Sequence, residues 1–569
     1  MTILPDWLNT LKQQPKLIVN DLSSGLMMAI LVIPQSLGYA SLAGLPPIMG
    51  LYASIVPTLV YAYIGSSSVS ALGPVAVTAI MTSGALSHYA SGSMQYIMLS
   101  IMLAFMVGVI LCLSSMLRLG WIMQFVSRGV ASGFVSAAAV MIIISQLKNL
   151  IGAPIAGDSL TIIINNLLHD GFYIHAETAL LGLATLSLLF ANRHLSFLWS
   201  WLPKSKAEFA KRLVIIIVVM IGIIFANQLH WQELGIHLLE PLPTQLPALS
   251  PPILSTDTVL KMIPSALLIA LIAFISSSTV AGSYARIHQQ PFNNNKELLG
   301  LGLANIASSF SGGFAVTGGI SRTSLNISLG AKTPFASVIC AIGILSILLF
   351  FGQYLTGLPY AILSAIIIMS AIQMVDLDTL KDAIKHDGAD AWCWIISFIT
   401  AIAFGLNFGL SAGMLTSFVL MVHRSQRVNI ATIGQIGNSG HFRDITRHKA
   451  TTVDNLLMLR IDESIYFGNA TTIHNTLRER CFNHPKAQEI ILVMTAVNHL
   501  DLTAQDMLLN FNQELKQQGR CLHLAEVKGP VLDSLKNGKL ISKLSGKVFL
   551  STKQAMDALN RQKNDWYGL

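Results

Sequence analysis

The chain has 569 residues and a net charge of +8, and 53% of its residues are hydrophobic whereas only 11% are charged. Soluble domains carry roughly 25% charged residues, so this composition excludes a string of soluble domains. Of the charged residues, 33 lie in residues 1–425 and 31 in residues 426–569, and residues 22–117 contain none. An uncharged region of that size needs lipid around it. The sequence therefore predicts a polytopic α-helical membrane protein with a soluble C-terminal domain.

The chain divides into three predicted regions. A cytoplasmic N-terminal segment covers residues 1–20, a transmembrane domain covers residues 21–425, and a cytoplasmic domain covers residues 426–569. The first 21 residues lack the pattern of a cleavable secretion signal, so we expect the first apolar stretch to be a mature membrane span.

Apolar stretches in the transmembrane domain have the length that a helix needs to cross a bilayer, about 17–25 residues. Eleven are continuous: 22–42, 48–64, 94–117, 126–146, 176–191, 212–229, 260–283, 333–352, 358–374, 391–406 and 408–423. Three more are interrupted by Gly, Pro or Ser: 70–88, 298–312 and 319–331. Eleven and three together predict fourteen crossings or half-crossings.

Lysine and arginine residues mark the cytoplasmic ends of membrane spans. With the N-terminus inside and alternating spans, the basic residues of the inner side are Arg118, Arg128, Arg193, Lys204, Lys206, Lys211, Arg212, Arg286, Lys296, Lys332, Lys381, Lys385, Arg424 and Arg427. The outer connections carry little beyond Lys148 and Lys261, and the proline-rich segment 230–259 has no basic residue, as expected of an exterior loop. An even number of crossings leaves the C-terminal domain inside. We expect the protein in the inner membrane of a cell.

Neither a nucleic acid nor a metal is an expected partner. The basic residues lie in short loops and form no stripe with interleaved aromatic residues, which argues against nucleic-acid binding. Three of the five cysteines lie in apolar spans, and none has CxxC or metal-ligand spacing, so we expect no disulfide framework, metal site or cofactor. The cysteines are Cys112, Cys340, Cys393, Cys481 and Cys521. A membrane-bound enzyme also lacks support, because the apolar region contains no nucleophile–base pair.

Two interrupted stretches each place a short helix after irregular backbone. In the first, Gly73 and Pro74 come before Val75, Ala76 and an apolar helix; in the second, residues 311–319 include four glycines before a helix that begins near Ile320. Irregular backbone at membrane depth occurs only where it is buried in protein or lines a cavity. A pair of such segments in matching halves is typical of the central site of a transporter.

The N-terminus of a half-helix offers unpaired N–H groups and the positive end of the helix dipole. We therefore expect the two N-termini to bind an anion in a shared, water-accessible hollow. Ordinary loops between full spans, or close helix packing through small residues, are the alternative interpretations.

Arg322 strengthens the prediction of an anion site. Residues 298–331 are otherwise apolar, small or neutral, and no acidic residue lies within twenty positions of Arg322. A charge inside a membrane domain faces a cavity or a partner, and a bound anion could be that partner. The alternative is an arginine that extends to the cytoplasmic surface from the end of a helix.

Hydrogen-bonding side chains in two other spans could complete the site. Gln35 and Tyr39 follow Pro34, are four residues apart and so share one face of a helix. Ser276 and Thr279 begin and end a run of four hydroxyl residues in the span 260–283. Hydrogen bonds between helices explain either pair equally well.

Several motifs in order resemble the sulfate permease (SulP) family. They are Asp21-Leu22, the run Pro34-Gln35-Ser36-Leu37-Gly38-Tyr39 continuing to Pro47, Gly50-Leu51-Tyr52, Gly73-Pro74-Val75-Ala76, and Asn305 with Gly312-Gly313, Thr317-Gly318 and Ser321-Arg322. In the tail, residues 523–531 resemble a STAS domain.

The resemblance implies seven plus seven transmembrane segments in an inverted repeat, and a homodimer. It places the substrate between the N-termini of the third and tenth segments, where Gln35, Tyr39 and the backbone around Gly73–Ala76 and Ser321–Arg322 contact it. Substrates of the family include sulfate, bicarbonate, chloride, nitrate and dicarboxylates. The coupling ion, H⁺ or Na⁺, is left open.

One position departs from the family. Many members carry Glu or Asp in the eighth segment, where this chain has Ser276, and residues 262–285 contain no acid. The family links that acid to proton or sodium coupling. Its replacement favours exchange, uniport or a shifted coupling site over symport through this position.

The tail alternates strands with helices, which indicates an α/β domain. The predicted strands are Asn455–Ile461, Glu489–Val497 and Gly519–Ala525, and the predicted helices are Ala470–Cys481, Ala504–Gln518, Gly529–Lys536 and Thr552–Gln562. A STAS domain binds regulatory partners. Asp501 and Thr503 have the spacing of the phosphorylated site in regulatory relatives, but a Thr that caps a helix is the favoured interpretation. His499 and His523 are expected as surface or sheet residues.

The sequence as a whole predicts a secondary anion transporter with sulfate as the leading substrate. Bicarbonate, chloride and dicarboxylates are alternative substrates, and an anion channel of the same fold is an alternative mechanism. A nucleobase transporter of related fold is disfavoured by Arg322 and the STAS-like tail.

Overall fold

The computed structural model describes residues 6–86, 89, 93–121, 127–153, 160–170, 173–194, 204–243, 251–252, 256–287, 289–437, 439–538 and 540–564. The chain forms two compact units, Met1–Ser417 and Phe418–Leu569. The division lies inside the last predicted span, eight residues before the predicted boundary at residue 425.

The first unit is almost entirely helical. Its elements are α1 (Asp6–Gln13), α2 (Lys16–Leu42), α3 (Ile48–Ile64), β1 (Leu72–Gly73), α4 (Ala76–Leu86), α5 (Ser93–Met116), α6 (Arg128–Ile151), α7 (Leu160–Asp170), α8 (Ala176–His194), α9 (Lys204–Gln228), α10 (Thr256–Ile287), α11 (Asn294–Phe310), β2 (Thr317–Gly318), α12 (Ile320–Ser328), α13 (Phe335–Phe351), α14 (Tyr360–Ile372), α15 (Leu377–His386), α16 (Gly388–Phe404) and α17 (Leu406–Ser425). The order of two long helices, a short strand and a short helix occurs twice, as α2-α3-β1-α4 and as α10-α11-β2-α12.

Each predicted span contains a helix. Among the described residues, seven helices are long and apolar enough to cross a membrane, and further apolar helices are shorter. The predicted helical membrane fold is thus confirmed, while the number of fourteen crossings stays a prediction. Helix α2 begins at Lys16, inside the predicted segment 1–20, and α1, α7 and α15 were not predicted. Residues 244–250 and 253–255 of the predicted exterior loop lie outside the described residues.

Glycines let the helices of this unit pack closely. An added Cβ on Gly50 of α3 would lie 2.0 Å from the carbonyl oxygen of Ser36 in α2. An added Cβ on Gly302 of α11 would lie 2.6 Å from Sγ of Cys112 in α5. Small residues at such contacts are how helices associate in lipid, where hydrophobic burial gives no net drive.

The second unit is an α/β domain with a six-stranded sheet in the order β4-β3-β5-β6-β7-β8. Strands β3 to β5 pair antiparallel, and β5 to β8 pair parallel. The elements are β3 (Ile430–Gln435), β4 (Phe442–Asp444), β5 (Leu456–Ile461), α18 (Ala470–Phe482), β6 (Glu489–Val493), α19 (Leu502–Gln517), β7 (Cys521–Ala525), α20 (Gly529–Asn537), α21 (Leu540–Lys543), β8 (Val548–Phe549) and α22 (Thr552–Asn564).

This unit has its own hydrophobic core on both faces of the sheet. Ile473, Leu508 and Leu535 pack helices α18 to α20 on one face, and Ala555 and Met556 of α22 pack on the other. The predicted α/β class, three strands and four helices are confirmed. Strands β3, β4 and β8 and helix α21 were missed; the edge strands β4 and β8 have only three and two residues.

Because each unit has a separate core, we expect a chain truncated after residue 429 to keep a folded membrane unit. Size-exclusion chromatography and thermal unfolding in detergent, compared with the full chain, check this. Aggregation of the truncated chain under conditions where the full chain is monodisperse would contradict it.

Candidate anion-binding site

The two interrupted segments meet inside the first unit. Strand β1 pairs antiparallel with β2, so that Leu72 lies opposite Gly318 and Gly73 opposite Thr317. Helix α4 begins three residues after β1 and α12 begins two residues after β2. The N-termini of the two half-helices therefore lie close together, as the sequence predicted.

Side chains satisfy the backbone groups that this irregular chain leaves open. Asn305 of α11 accepts a hydrogen bond from the Val316 N–H and donates one to the Val316 carbonyl, both at 2.9 Å. Thr58 of α3 donates to the Leu72 carbonyl at 3.1 Å. Buried backbone groups without partners are costly, so these bonds fix the paired strands in place.

Helix α12 also forms hydrogen bonds with the other interrupted segment, the backbone that precedes α4. The Thr323 hydroxyl accepts a hydrogen bond from the Ala71 N–H at 3.1 Å, and Asn326 donates to the Val69 carbonyl at 2.9 Å. Gly319, which precedes α12, provides no side-chain cap. The first-turn N–H groups of α12 thus lack a capping side chain from Gly319, and such N–H groups are a common anion site.

The point where β1 pairs with β2, and where the two interrupted segments meet, is the crossing. Arg322 is buried beside this crossing, with only 2% of its surface exposed. Its Nη2 donates to Ser36 at 2.9 Å and its Nη1 to Ser54 at 3.4 Å, whereas Nε has no hydrogen-bond partner among the described atoms. No carboxylate of the described residues forms an ion pair with it. The predicted position inside the bundle is correct, and the alternative of an arginine extended to the surface is wrong.

The guanidinium lies directly against Gly73. An added Cβ on Gly73 would stand 2.0 Å from Nη1 of Arg322, and the residue has a φ of +155°. Only glycine therefore fits between β1 and this side chain. The positive charge of Arg322 is placed just before the N-terminus of α4.

Gln35 and Tyr39 share one face of α2, as their spacing predicted. Nε2 of Gln35 donates to the Tyr39 hydroxyl at 2.8 Å, and that hydroxyl lies 3.4 Å from Oγ of Ser370 in α14. Ser36, the residue after Gln35, accepts the hydrogen bond from Nη2 of Arg322. These side chains thus border the region of the crossing.

The two predicted hydroxyl residues of α10 differ in position. Ser276 donates to the Gly318 carbonyl at 3.1 Å and so contacts the crossing. Thr279 is exposed. Ser277, between them, is fully buried and hydrogen-bonds Glu297.

The predicted hollow is small in this conformation. The cavity that reaches Arg322, lined also by Ser54, Thr58 and Cys340, has a volume of about 10 Å³, which holds about one water molecule. A larger cavity of about 360 Å³ lies along α4, between α10 and the α16–α17 connection, and no predicted site residue lines it. The expectation of an anion-sized, water-accessible hollow at the crossing is therefore wrong for this structure, because side chains fill this space.

Three polar residues of the region were missed at the sequence level. Ser36 and Ser54 were not distinguished from ordinary small helix residues, although they bind Arg322. Glu297, to which the sequence analysis gave no role, is fully buried. The sequence did contain one sign that Glu297 is unusual, because it is the only acidic residue in 258–375.

The second unit places Asp501 at the start of α19. Its side chain accepts hydrogen bonds from the N–H groups of Ala504 at 2.8 Å and Phe467 at 2.7 Å. The prediction that Thr503 caps the helix is wrong, because Asp501 is the cap and Thr503 lies exposed in the first turn. His523 is a buried residue of β7 that bonds Glu489 at 2.7 Å, and His499 is exposed.

Gly73→Ala should destabilise the membrane unit, because the new methyl group would collide with Arg322 in a backbone conformation that alanine disfavours. A cost on the order of 2 kcal/mol is expected, seen as a lower unfolding temperature in detergent. Gly84→Ala in α4 is the matched control, because an added Cβ there meets nothing within 4 Å. Equal unfolding temperatures of the two variants would contradict this account of Gly73.

Comparisons with known proteins show which family and which fold the chain has. The chain is 32% identical over 509 residues to "Sulfate transporter 4.1, chloroplastic" of Arabidopsis thaliana, which covers 87% of this chain and 73% of that protein. Murine Solute Carrier 26 family member A9, an anion transporter solved in the inward-facing state, matches with a TM-score of 0.86 at 20% identity over 97% of this chain and 93% of its own. The transmembrane domain of the cyanobacterial bicarbonate transporter BicA matches with a TM-score of 0.58 at 20% identity, over 71% and 97%. At these identities the two structures show the fold alone.

The family models divide the chain as the two units do. The Sulfate permease family matches residues 18–397, about two thirds of the chain, and the STAS domain matches residues 447–555. A family match over more than half of the chain identifies the family to which the chain belongs. The chain belongs to the sulfate permease family of anion transporters, carries a C-terminal STAS domain, and is a transport protein and not an enzyme.

Proposed function

We propose that the chain is a secondary transporter of small inorganic anions with sulfate as its main substrate. The anion is held between the N-termini of α4 and α12 and crosses by alternating access. The observation that carries this proposal is the pairing of β1 with β2, which brings both N-termini together beside a buried arginine that has no acidic partner among the described residues.

The charge of the site supports a dianion such as sulfate. Two helix N-termini and one guanidinium supply positive potential from several directions. The curated relative from Arabidopsis thaliana is named a sulfate transporter. Backbone N–H groups select charge and size, so bicarbonate, chloride and dicarboxylates remain the competing substrates to test.

The small cavity at Arg322 supports a mechanism with a conformational step. A space for about one water molecule cannot hold sulfate, so α4 and α12 must separate from neighbouring helices before the anion binds. Rocking of one helical bundle against the other opens such a site to one side at a time. A channel requires instead a continuous path.

We further propose the arrangement of the protein in the cell. The excess of Lys and Arg in one set of loops supports an inner-membrane protein with its N-terminus and STAS domain in the cytoplasm. The family resemblance supports a homodimer. Exposed Thr503, beside the Asp501 cap, is a position where a regulatory protein or phosphorylation could act on the STAS domain.

Uptake of radiolabelled sulfate into proteoliposomes tests the substrate. We expect saturable uptake that unlabelled sulfate inhibits more strongly than bicarbonate, chloride, nitrate or fumarate. Stronger inhibition by another anion would reassign the substrate. Uptake that does not saturate would support the channel.

Arg322→Ala should weaken sulfate binding by at least about tenfold, because a charge-assisted hydrogen bond or nearby charge contributes roughly 1.5–3 kcal/mol. The apparent affinity in proteoliposomes measures this, and the unfolding temperature reports folding separately. Arg286→Ala is the matched control, since Arg286 is exposed at the end of α10 and, within the described residues, donates to Ser283. An unchanged affinity in folded Arg322→Ala removes Arg322 from the site.

A further inference from the structure

Glu297 is a fully buried acid near the crossing that the proposed anion site does not use. It lies in the first turn of α11 with 0% of its surface exposed. The Tyr61 hydroxyl lies 2.9 Å from both carboxyl oxygens, the Ser277 hydroxyl donates at 2.5 Å, and the Ser66 N–H donates at 3.3 Å. No basic side chain of the described residues forms an ion pair with it. A buried charge without a counter-charge is costly.

The partners of Glu297 suit both of its protonation states. The hydroxyls of Tyr61 and Ser277 can donate to a carboxylate, and each can also accept a hydrogen bond from a carboxylic acid. Among the described residues the only fixed donor to Glu297 is the Ser66 N–H, at the longest distance. Proton uptake by Glu297 therefore requires rotation of hydroxyl groups and no movement of the helices.

Asp21 provides an internal contrast. It is also fully buried, but one of its carboxyl oxygens accepts from the backbone N–H groups of Lys332 at 2.7 Å and Thr333 at 3.2 Å. Its other carboxyl oxygen accepts from the Thr333 hydroxyl at 2.6 Å. Asp21 thus accepts from two backbone N–H groups and one hydroxyl, whereas Glu297 accepts from one backbone N–H and two hydroxyls.

The elements packed against α11 bring no second acid to Glu297. Helix α3 presents Tyr61, and the segment after it presents Ser66 and Ser70. Helix α10 presents Ser277, with Tyr284 and exposed Arg286 nearer its end, and α5 presents Cys112 at Gly302. Lys296, on α11 itself, is exposed. Within the described part of the chain, Glu297 is thus the one carboxyl group of this cluster.

Ser277 connects Glu297 to the crossing. An added Cβ on Gly318 would lie 2.5 Å from Oγ of Ser277 and 2.9 Å from Oγ of Ser70. Gly318 pairs with Leu72 of β1, and its carbonyl accepts the hydrogen bond from Ser276. The carboxyl group is therefore separated by a single serine side chain from the strand that leads into α12.

Helix α3 sets the spacing between the acid and Arg322. Ser54, which binds Arg322, and Tyr61, which binds Glu297, are seven residues apart on one face of α3. That separation is about 10 Å along the helix. A unit charge about 10 Å away, at an effective dielectric constant of about 20, changes the affinity for an anion by roughly tenfold.

We propose that Glu297 is the proton-binding group that couples anion transport to protons, an inference that rests on the proposed function. A proton adds to a carboxylate oxygen of Glu297 and removes one negative charge next to the anion site, so the anion binds more tightly. By linkage the bound anion strengthens proton binding equally. Helix α10 has a serine, Ser276, where many family members carry an acid. In this chain an acid of the neighbouring helix α11, Glu297, accepts a hydrogen bond from the next residue of α10, Ser277.

The test compares sulfate uptake into proteoliposomes with an acidic exterior and with equal pH on both sides, while the membrane potential is clamped. Sulfate keeps its double charge between about pH 5.5 and 8, so changes in that range belong to the protein. We expect the gradient to raise the initial rate of the full chain at least about fivefold. Glu297→Gln should reduce that ratio to about one while sulfate–sulfate exchange continues.

Asp21→Asn is the matched control, since it neutralises another buried carboxyl group and should leave the gradient response intact. A gradient response that persists in Glu297→Gln, or is equally lost in Asp21→Asn, overturns the assignment. Sulfate exchange by the full chain without any gradient response overturns the coupling and leaves the proposed function standing. Absence of both uptake and exchange overturns the two together.

If Glu297→Gln does not fold, Ser277→Ala provides the second variant. It removes one hydroxyl partner and should shift the pH at which sulfate binding is half-maximally enhanced. An unchanged midpoint in folded Ser277→Ala contradicts the proposal. The histidines are identical in all these variants, so they do not account for a difference between them.

Discussion

Backbone N–H and C=O groups cannot stay unpaired inside a bilayer, and this constraint governs the centre of the molecule. Two helices are interrupted there, and the freed groups are satisfied by pairing β1 with β2 and by side chains such as Asn305, Thr58 and Thr323. Each half-helix therefore depends on residues far away in the chain. The start of α4 cannot shift without disturbing the start of α12, so the two N-termini behave as one structural feature.

Helix α3 supports this feature along a single face. Ser54, Thr58 and Tyr61 recur at intervals of four and three residues, and their hydroxyls contact Arg322, the Leu72 carbonyl and Glu297 in turn. A helix presents residues at this spacing in one line. A cation, an irregular strand and an acid are thus aligned by one rigid element, and this alignment explains how uncompensated polar groups persist in an apolar bundle.

The sequence predicted those features that leave a local pattern. Gly73-Pro74 and the glycines of 311–319 interrupt apolar stretches, Gln35 and Tyr39 have helical spacing, and Arg322 is an isolated charge. The roles of Ser36, Ser54 and Glu297 depend on partners 286, 268 and 236 residues away, which periodicity cannot identify. The same reason explains the error at Thr503: both residues can cap a helix, and only the backbone shows that Asp501 accepts the N–H groups.

The absence of an ion pair between the described Arg322 and Glu297 follows from what the site must do. Pairing them would offset much of the cost of burying both charges, but it would also cancel the positive potential at the helix N-termini. Arg322 instead donates to serine hydroxyls, which are neutral acceptors, and its Nε has no partner among the described atoms. The guanidinium thus keeps most of its charge for an incoming ion. Glu297, held at a distance by α3, can alter that potential by gaining or losing a proton without blocking it.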